Sequence, residues 1–207
     1  MKPRATANRA LGFSLIEVLI ALIIISVGML GIAKLEAVVL SNTGSSRLRA
    51  LVALEAASLA DAMHADRDFW DGTSTSGGGT PDWTTSLGVS VTVTGGTPAF
   101  SATNSGHMST ALGAIPTCAA SCSPVNLAAH DLDQWANGPT GLGGGLAQVL
   151  KTSTSSINCI AATVLNPATC TITINWSEST VAANQQEAQA GAPTSFVSET
   201  YTLVVQP

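Results

Sequence analysis

The chain has 207 residues, a formal net charge of -5 and only 10% charged side chains, while 45% of its residues are hydrophobic. An acidic chain of such low charge lacks the basic surface that nucleic-acid binding requires, so that class of partner is excluded. The length accommodates one globular domain plus an extended element, and a weakly charged surface rich in Gly, Ser, Thr and Ala fits a protein packed among others better than a cytosolic enzyme.

Lys2, Arg4 and Arg9 precede an apolar run in which Glu17 is the only charge as far as Ala33. As a helix, Phe13 to Ala33 spans roughly 30 Å, the thickness of a bilayer's hydrocarbon core. Gly31-Ile32-Ala33 has the small-x-small form of a secretory cleavage site, but the run exceeds the roughly 7–15 residues of a signal h-region. A carboxylate in such a run costs about 2.5–3.5 kcal/mol, which marks Glu17 as a functional position. Lys34 and Glu36 nearly cancel behind the span, so the positive-inside rule places the N-terminus in the cytoplasm and the remainder across the membrane. That compartment is oxidising, and Cys118, Cys122, Cys159 and Cys170 then read as disulfides.

The helical pattern extends from Phe13 to about Ala65, apolar all round in its first half and amphipathic in its second. There Leu48, Leu51, Val52, Leu59, Ala62 and Met63 recur at helical spacing. Asn42-Thr43-Gly44-Ser45-Ser46 predicts a kink or melted turn, Gly44 alone costing about 1 kcal/mol against Ala. The amphipathic half needs a sheet to cover it. His64, near Asp61 and Asp68, reads as a solvated helix end rather than a metal ligand. Thr73 to Asp82 has the composition of a flexible linker.

Leu87 to Thr94 alternates as a half-buried strand ended by Gly95-Gly96; no element is assigned to residues 97–117. Ser123 and Pro124 begin a helix that Asn137-Gly138 stops. Leu127, His130 or Asp131, and Trp135 share one of its faces, with Trp135 as core anchor. His130, Asp131 and Asp133 have no nucleophile beside them and read as structural. Gly141 to Gly145 is not a phosphate loop, because Leu150 and not Gly precedes Lys151. Asn158-Cys159-Ile160 starts a strand, Asn166-Pro167 turns, and Cys170 to Trp176 alternates strictly. Glu178 to Gly191 reads as a polar connection, and Phe196 to Val205 as a strand of mixed faces, at an edge or changing environment midway. Asn175-Trp176-Ser177 fits a glycosylation sequon but falls within a strand.

Four cysteines allow three connectivities. Cys159–Cys170 clamps neighbouring strands, Cys118–Cys122 closes a small loop ahead of the second helix, and the other pairings demand longer closure; local pairing is the expectation. No metalloprotease helix, nucleophile elbow or dinucleotide fingerprint occurs, and CxxxC is not zinc spacing. The expectation is therefore no enzyme, no cofactor and no metal.

The stretch Gly12-Phe13-Ser14-Leu15-Ile16-Glu17, behind a basic leader, resembles the N-terminal signature of type IV pilins. The resemblance implies that a prepilin peptidase cuts between Gly12 and Phe13 and methylates the amine of Phe13. It makes Glu17 the assembly carboxylate. Downstream, the order Cys118, Cys122, the segment Leu127 to Trp135, Cys159, and Cys170 to Glu178 looks like PilV-type minor pilins, also called type IV pilus modification proteins. Their apolar pattern is matched by Ser26-Val27-Gly28-Met29-Leu30-Gly31.

This resemblance implies an α+β type IV pilin-like fold, a long N-terminal helix packed on an antiparallel sheet with disulfide-bonded loops. Its parts would be a leader (1–12), a membrane and assembly half-helix (13–40), an amphipathic half-helix (41–66) and a globular head (67–207). The implied role is a minor pilin in a tip or priming complex that initiates pilus assembly and supports twitching motility and adhesion. The implied site is the bacterial inner membrane, with the head in the periplasm, and then the pilus surface. Other minor pilins, the major pilin, the prepilin peptidase, a tip adhesin and the inner-membrane assembly platform would be its partners. The alternative is a minor pseudopilin of a type II secretion system.

Overall fold

The structure, a computed structural model, describes residues 14–76, 79–118, 121–139, 144–181 and 194–207. It divides into two compact units, Met1–Asn42 and Thr43–Pro207. Helix α1, Leu15–Ala65, contributes to both. The described part of the first unit is helix alone, and Leu15, Ile16, Ile24 and Ile25, which point to four different sides of it, are all exposed. By length and composition α1 can cross a membrane, and it is the one such helix among the described residues.

The second unit is α+β. After α1 come α2 (Arg67–Trp70), β1 (Ser86–Thr94), β2 (Thr97–Thr103), α3 (Gly106–Gly113), α4 (Pro124–Asn137), α5 (Leu146–Val149), β3 (Thr152–Ile160), β4 (Thr169–Val181) and β5 (Thr194–Val205). The strands form one sheet in the order β2-β1-β3-β4-β5, and every neighbouring pair is antiparallel. Gly95 and Gly96 join β1 to β2 with φ of 60° and 83°. A two-residue hairpin that matches the strand twist needs positive φ at both positions, which glycine adopts without strain.

Alternation decides which face is covered. The inward Val89, Val91 and Val93 of β1, Ile157 and Cys159 of β3, and Cys170, Ile172 and Ile174 of β4 lie in one buried core with Val52, Ala56, Leu59 and Met63 of α1. Those four helix residues recur at three- and four-residue spacing, so one stripe meets the sheet. Leu132 and Trp135 of α4 and Phe69 and Trp70 of α2 belong to the same core. Trp83 fills it further, its indole donating to the Phe69 carbonyl at 2.8 Å. The opposite face of the sheet carries Ser90, Thr92 and Thr94 on β1, Thr152, Thr154 and Ser156 on β3, and Thr173, Thr200 and Thr202 on β4 and β5.

Several sequence expectations are corrected. No turn is melted at Asn42–Ser46, since the backbone stays helical throughout α1. Ser45 donates to Glu178 and Arg49 binds Glu199, and these contacts outweigh the propensity cost of Gly44. Residues 97–117 hold β2 and α3, the latter capped by Ser105, whose hydroxyl accepts from the Met108 amide at 3.1 Å. Asn158–Ile160 ends β3 rather than beginning it; the strand's first inward residues are Ser153 and Ser155, buried with unpartnered hydroxyls, so no apolar alternation announced them. Glu178 belongs to β4, not to a polar connection, and is buried; residues 182–191 lie outside the described residues. On α4 the buried face is Val125, Ala128, Ala129, Leu132, Trp135 and Ala136, so Leu127 and His130 stand to its side. β5 is an edge strand.

Candidate functional site: the assembly segment and the polar anchors of the head

The apolar half of α1 begins at Ser14, whose carbonyl accepts from the amides of Glu17 and Val18 at 3.0 and 3.3 Å. Glu17 is exposed in the first turn, where the positive end of the helix dipole favours a carboxylate. Ser26 returns its hydroxyl to the Leu22 carbonyl at 2.8 Å, which removes a free polar group from an otherwise apolar surface. Gly28 and Gly31 have no heavy atom within 4 Å of an added Cβ; their small surfaces permit close approach of another helix. Gly12 and Phe13, the expected cleavage and methylation positions, lie outside the described residues.

In the head, Glu178 is the anchor between helix and sheet. Its carboxylate accepts from Ser45 and from the Trp176 indole at 2.8 Å, and Arg49 approaches it at 3.8 Å. The Arg49 guanidinium donates to Glu199 of β5 at 2.6 Å. A buried carboxylate is tolerated because these donors replace its lost water.

Asp82 is a second anchor. Its carboxylate accepts from the hydroxyls of Ser74 and Ser76 and from the Ser76 amide. His107 Nδ1 lies 2.8 Å from Oδ1, and a carboxylate only accepts here, so Nδ1 carries the proton. Asp82 thus ties the loop after α2 to α3, so that loop is not a free linker at Ser74, Ser76 and Asp82. His107 lines an open cavity of about 560 Å³ with Ser76, Thr110, Ser123 and Asn126. The contact between His107 and Asp82 latches α3 to the loop after α2.

Asp66, just past the end of α1, is buried, and its Oδ2 has no hydrogen-bond partner among the described residues. Burial, then the nearby charges of Asp131, Asp68 and Asp82, push its carboxyl up to about 7, against a backbone hydrogen bond from Ala128 that lowers it. Burial also raises Asp131, opposed by His130; the two side chains are 3.5 Å apart. Burial raises Glu55, whose carbonyl accepts from the Trp135 indole at 2.8 Å. His64 is exposed. Among the described residues no three His, Cys, Asp or Glu side chains are placed to hold a metal.

Cys118 bonds to Cys122 and Cys159 to Cys170. The second disulfide joins directly opposed residues of β3 and β4 and lies within the core. Sequence reasoning missed Asp82, His107, Glu178 and Asp66. Each is a polar residue outside the alternating stretches, and two of the contacts, Glu178 with Ser45 and Asp82 with His107, join positions remote in sequence.

Residues 7–33 match the family described as Prokaryotic N-terminal methylation motif. No curated protein matches the chain, and no solved structure does. The motif supports the pilin and pseudopilin superfamily, with a prepilin-peptidase substrate, a membrane-anchoring N-terminal helix and assembly into a pilus or pseudopilus. The head's sheet and helices agree with a type IV pilin-like α+β layout.

Proposed function

We propose that the chain is a minor pilin of the type IV pilus, of the PilV type, working in a tip or priming complex that initiates assembly. The observation that carries this reading is Glu17, the single charge between Phe13 and Ala33, which becomes the fifth residue if the chain is cut after Gly12. Before assembly the helix anchors the chain in the inner membrane with the head in the periplasm; afterwards the head stands on the pilus surface. Local disulfides suit the oxidising side of that membrane. The head acts by contact and not by catalysis.

A carboxylate in hydrocarbon is costly unless compensated. A methylated N-terminal amine on this chain or a neighbour is the nearest cation in such an assembly. Pairing offsets part of the cost and fixes the axial register between adjacent helices. Twitching motility and adhesion then follow from the completed pilus, with other minor pilins, the major pilin, a tip adhesin and the assembly platform as partners.

The test is complementation of a deletion strain with Glu17→Ala. The variant should insert, because its run is more apolar, and should be cleaved after Gly12, yet fail to restore surface pili. Normal piliation at normal levels of processed protein contradicts the role given to Glu17. A deletion that abolishes protein secretion and spares pili assigns the chain instead to a type II secretion pseudopilus.

A further inference from the structure

We propose that the outer face of the sheet binds an uncharged polysaccharide chain. This face is separate from the assembly helix, and the inference stands whether the filament is a pilus or a pseudopilus.

The strand register sets outward side chains in rows across the sheet. One row runs Ser101, Ser90, Ser156, Thr173, Thr202, one residue from each of the five strands. Rows on either side repeat the chemistry with Thr and Asn, and Gly88, Ala99 and Val204 are their exceptions. Neighbouring strands set the backbones in a row about 4.8 Å apart, and rows lie about 6.8 Å apart. These side chains are exposed or half-exposed, and no Asp, Glu, Lys, Arg or aromatic residue stands in these rows. Exposed sheets ordinarily carry such charges, which also discourage aggregation.

The hydroxyls are partly held in place. The Ser90 and Ser101 hydroxyls are 2.7 Å apart, and the Thr200 hydroxyl donates to the side-chain Oδ1 of Asn175 at 2.7 Å. Each hydroxyl is a donor with two acceptor lone pairs, so one internal bond leaves capacity for a ligand. Groups already oriented lose less freedom on binding. A shallow depression of about 170 Å³ lies on this face, lined by Thr152, Thr154, Asn175, Ser177 and Ser198 among others.

Charge and size choose the occupant. A face without charge has no attraction for nucleic acid, anionic lipid or acidic glycan. Its planar extent is on the order of 400 Å², from the strand and residue spacings. That is about half of the roughly 800 Å² per partner in a stable protein interface, and it lacks the apolar centre such interfaces have. A second copy of this chain is therefore a poor occupant. Sheet twist of about 20–25° per strand bends the rows away from a plane, which disfavours a crystal surface such as ice and suits a chain that can follow one row. Neutral sugar hydroxyls are the complement in both charge and hydrogen bonding. A single head should bind in the millimolar range, and several heads on one polymer more tightly.

The full chain, purified in detergent, is run in native gels cast with dextran, galactomannan or xyloglucan, and in parallel with alginate. Retardation by at least one neutral polymer is expected, with little by alginate. Thr173→Lys and Ser156→Lys should weaken it at least tenfold. Thr173→Val, which preserves shape and strand propensity, should weaken it severalfold, so a failure of the lysine variants to fold does not decide the matter. Ser58→Lys, on exposed helix surface away from the sheet, should bind as the parent does. No retardation by any of the three neutral polymers, equal retardation of Thr173→Val and parent, or retardation by alginate alone overturns the proposal.

Discussion

Residues 15–42 and 43–65 of α1 share one helical backbone, yet the first stretch exposes Leu15, Leu19, Ile23 and Leu30 while the second hides Val52, Ala56, Leu59 and Met63. Composition explains the difference. From Val18 to Ala33 the first stretch is uncharged and apolar on every side, so no orientation buries it against a single sheet, and it needs surroundings that are apolar all round. The second sets Val52, Ala56, Leu59 and Met63 in a buried stripe, with Leu54 exposed outside it, and supplies Arg49 and Ser45 to the sheet's carboxylates. Helicity alone therefore says nothing of the partner; the distribution of apolar residues around the axis does.

The strongest way to test this contrast is to truncate the same residue type in each stretch. Leu59→Ala should cost the head about 2–5 kcal/mol, since it empties a packed core position. Leu19→Ala should leave head unfolding unchanged, as followed by near-ultraviolet circular dichroism of the full chain in detergent. Equal melting of the two variants would remove the distinction.

The head also has a covalent component that the assembly half lacks. Replacing Cys159 and Cys170 with Ala should cost about 3 kcal/mol, and replacing Cys118 and Cys122 about 2 kcal/mol, because the latter close a shorter loop. The separations are 11 and 4 residues. Denaturant unfolding of the two variants measures the order.

How far this was readable in sequence differs between the two regions. Glu17 and its apolar flanks stand next to one another in the chain, so the methylation-motif segment was legible from adjacency. In the head, Cys170–Trp176 was legible because Ile172 and Ile174 alternate with Thr. The start of β3 was not, because its inward residues are Ser153 and Ser155. The anchors were illegible for a related reason: Glu178 meets Ser45 across 133 positions and Asp82 meets His107 across 25. No local period records such partnerships. The helix through Asn42–Ser46 shows tertiary contacts overriding poor local propensity.

A pH series sharpens the contrast further, because the buried carboxyls with raised values lie in the head. Asp66 is raised from 3.8 to about 7 on folding, so the folded state holds a proton that the unfolded state releases. Its contribution is intact below 3.8 and is lost as pH rises through about 7. Asp131 and Glu55, also raised, act with the same sign. The head should therefore lose stability between pH 4 and pH 8 through Asp66. Asp66→Asn should flatten much of that slope in melting temperature against pH; an unchanged slope would show that Asp66 is not its source.

The smallest expected effect is at the helix–sheet anchor. Arg49 is half exposed and Glu199 partly so, and such a pair contributes about 1 kcal/mol or less. Arg49→Ala should lower head stability by about that amount, and added salt should shrink the difference.

The central claim is that the exposed apolar helix is retained in the mature chain with a modified N-terminus, and mass spectrometry of the membrane-associated protein tests it most directly. The first residue should be Phe13 with one methyl group on its amine. A chain beginning near Lys34, or one that keeps Lys2, Arg4 and Arg9, would contradict it.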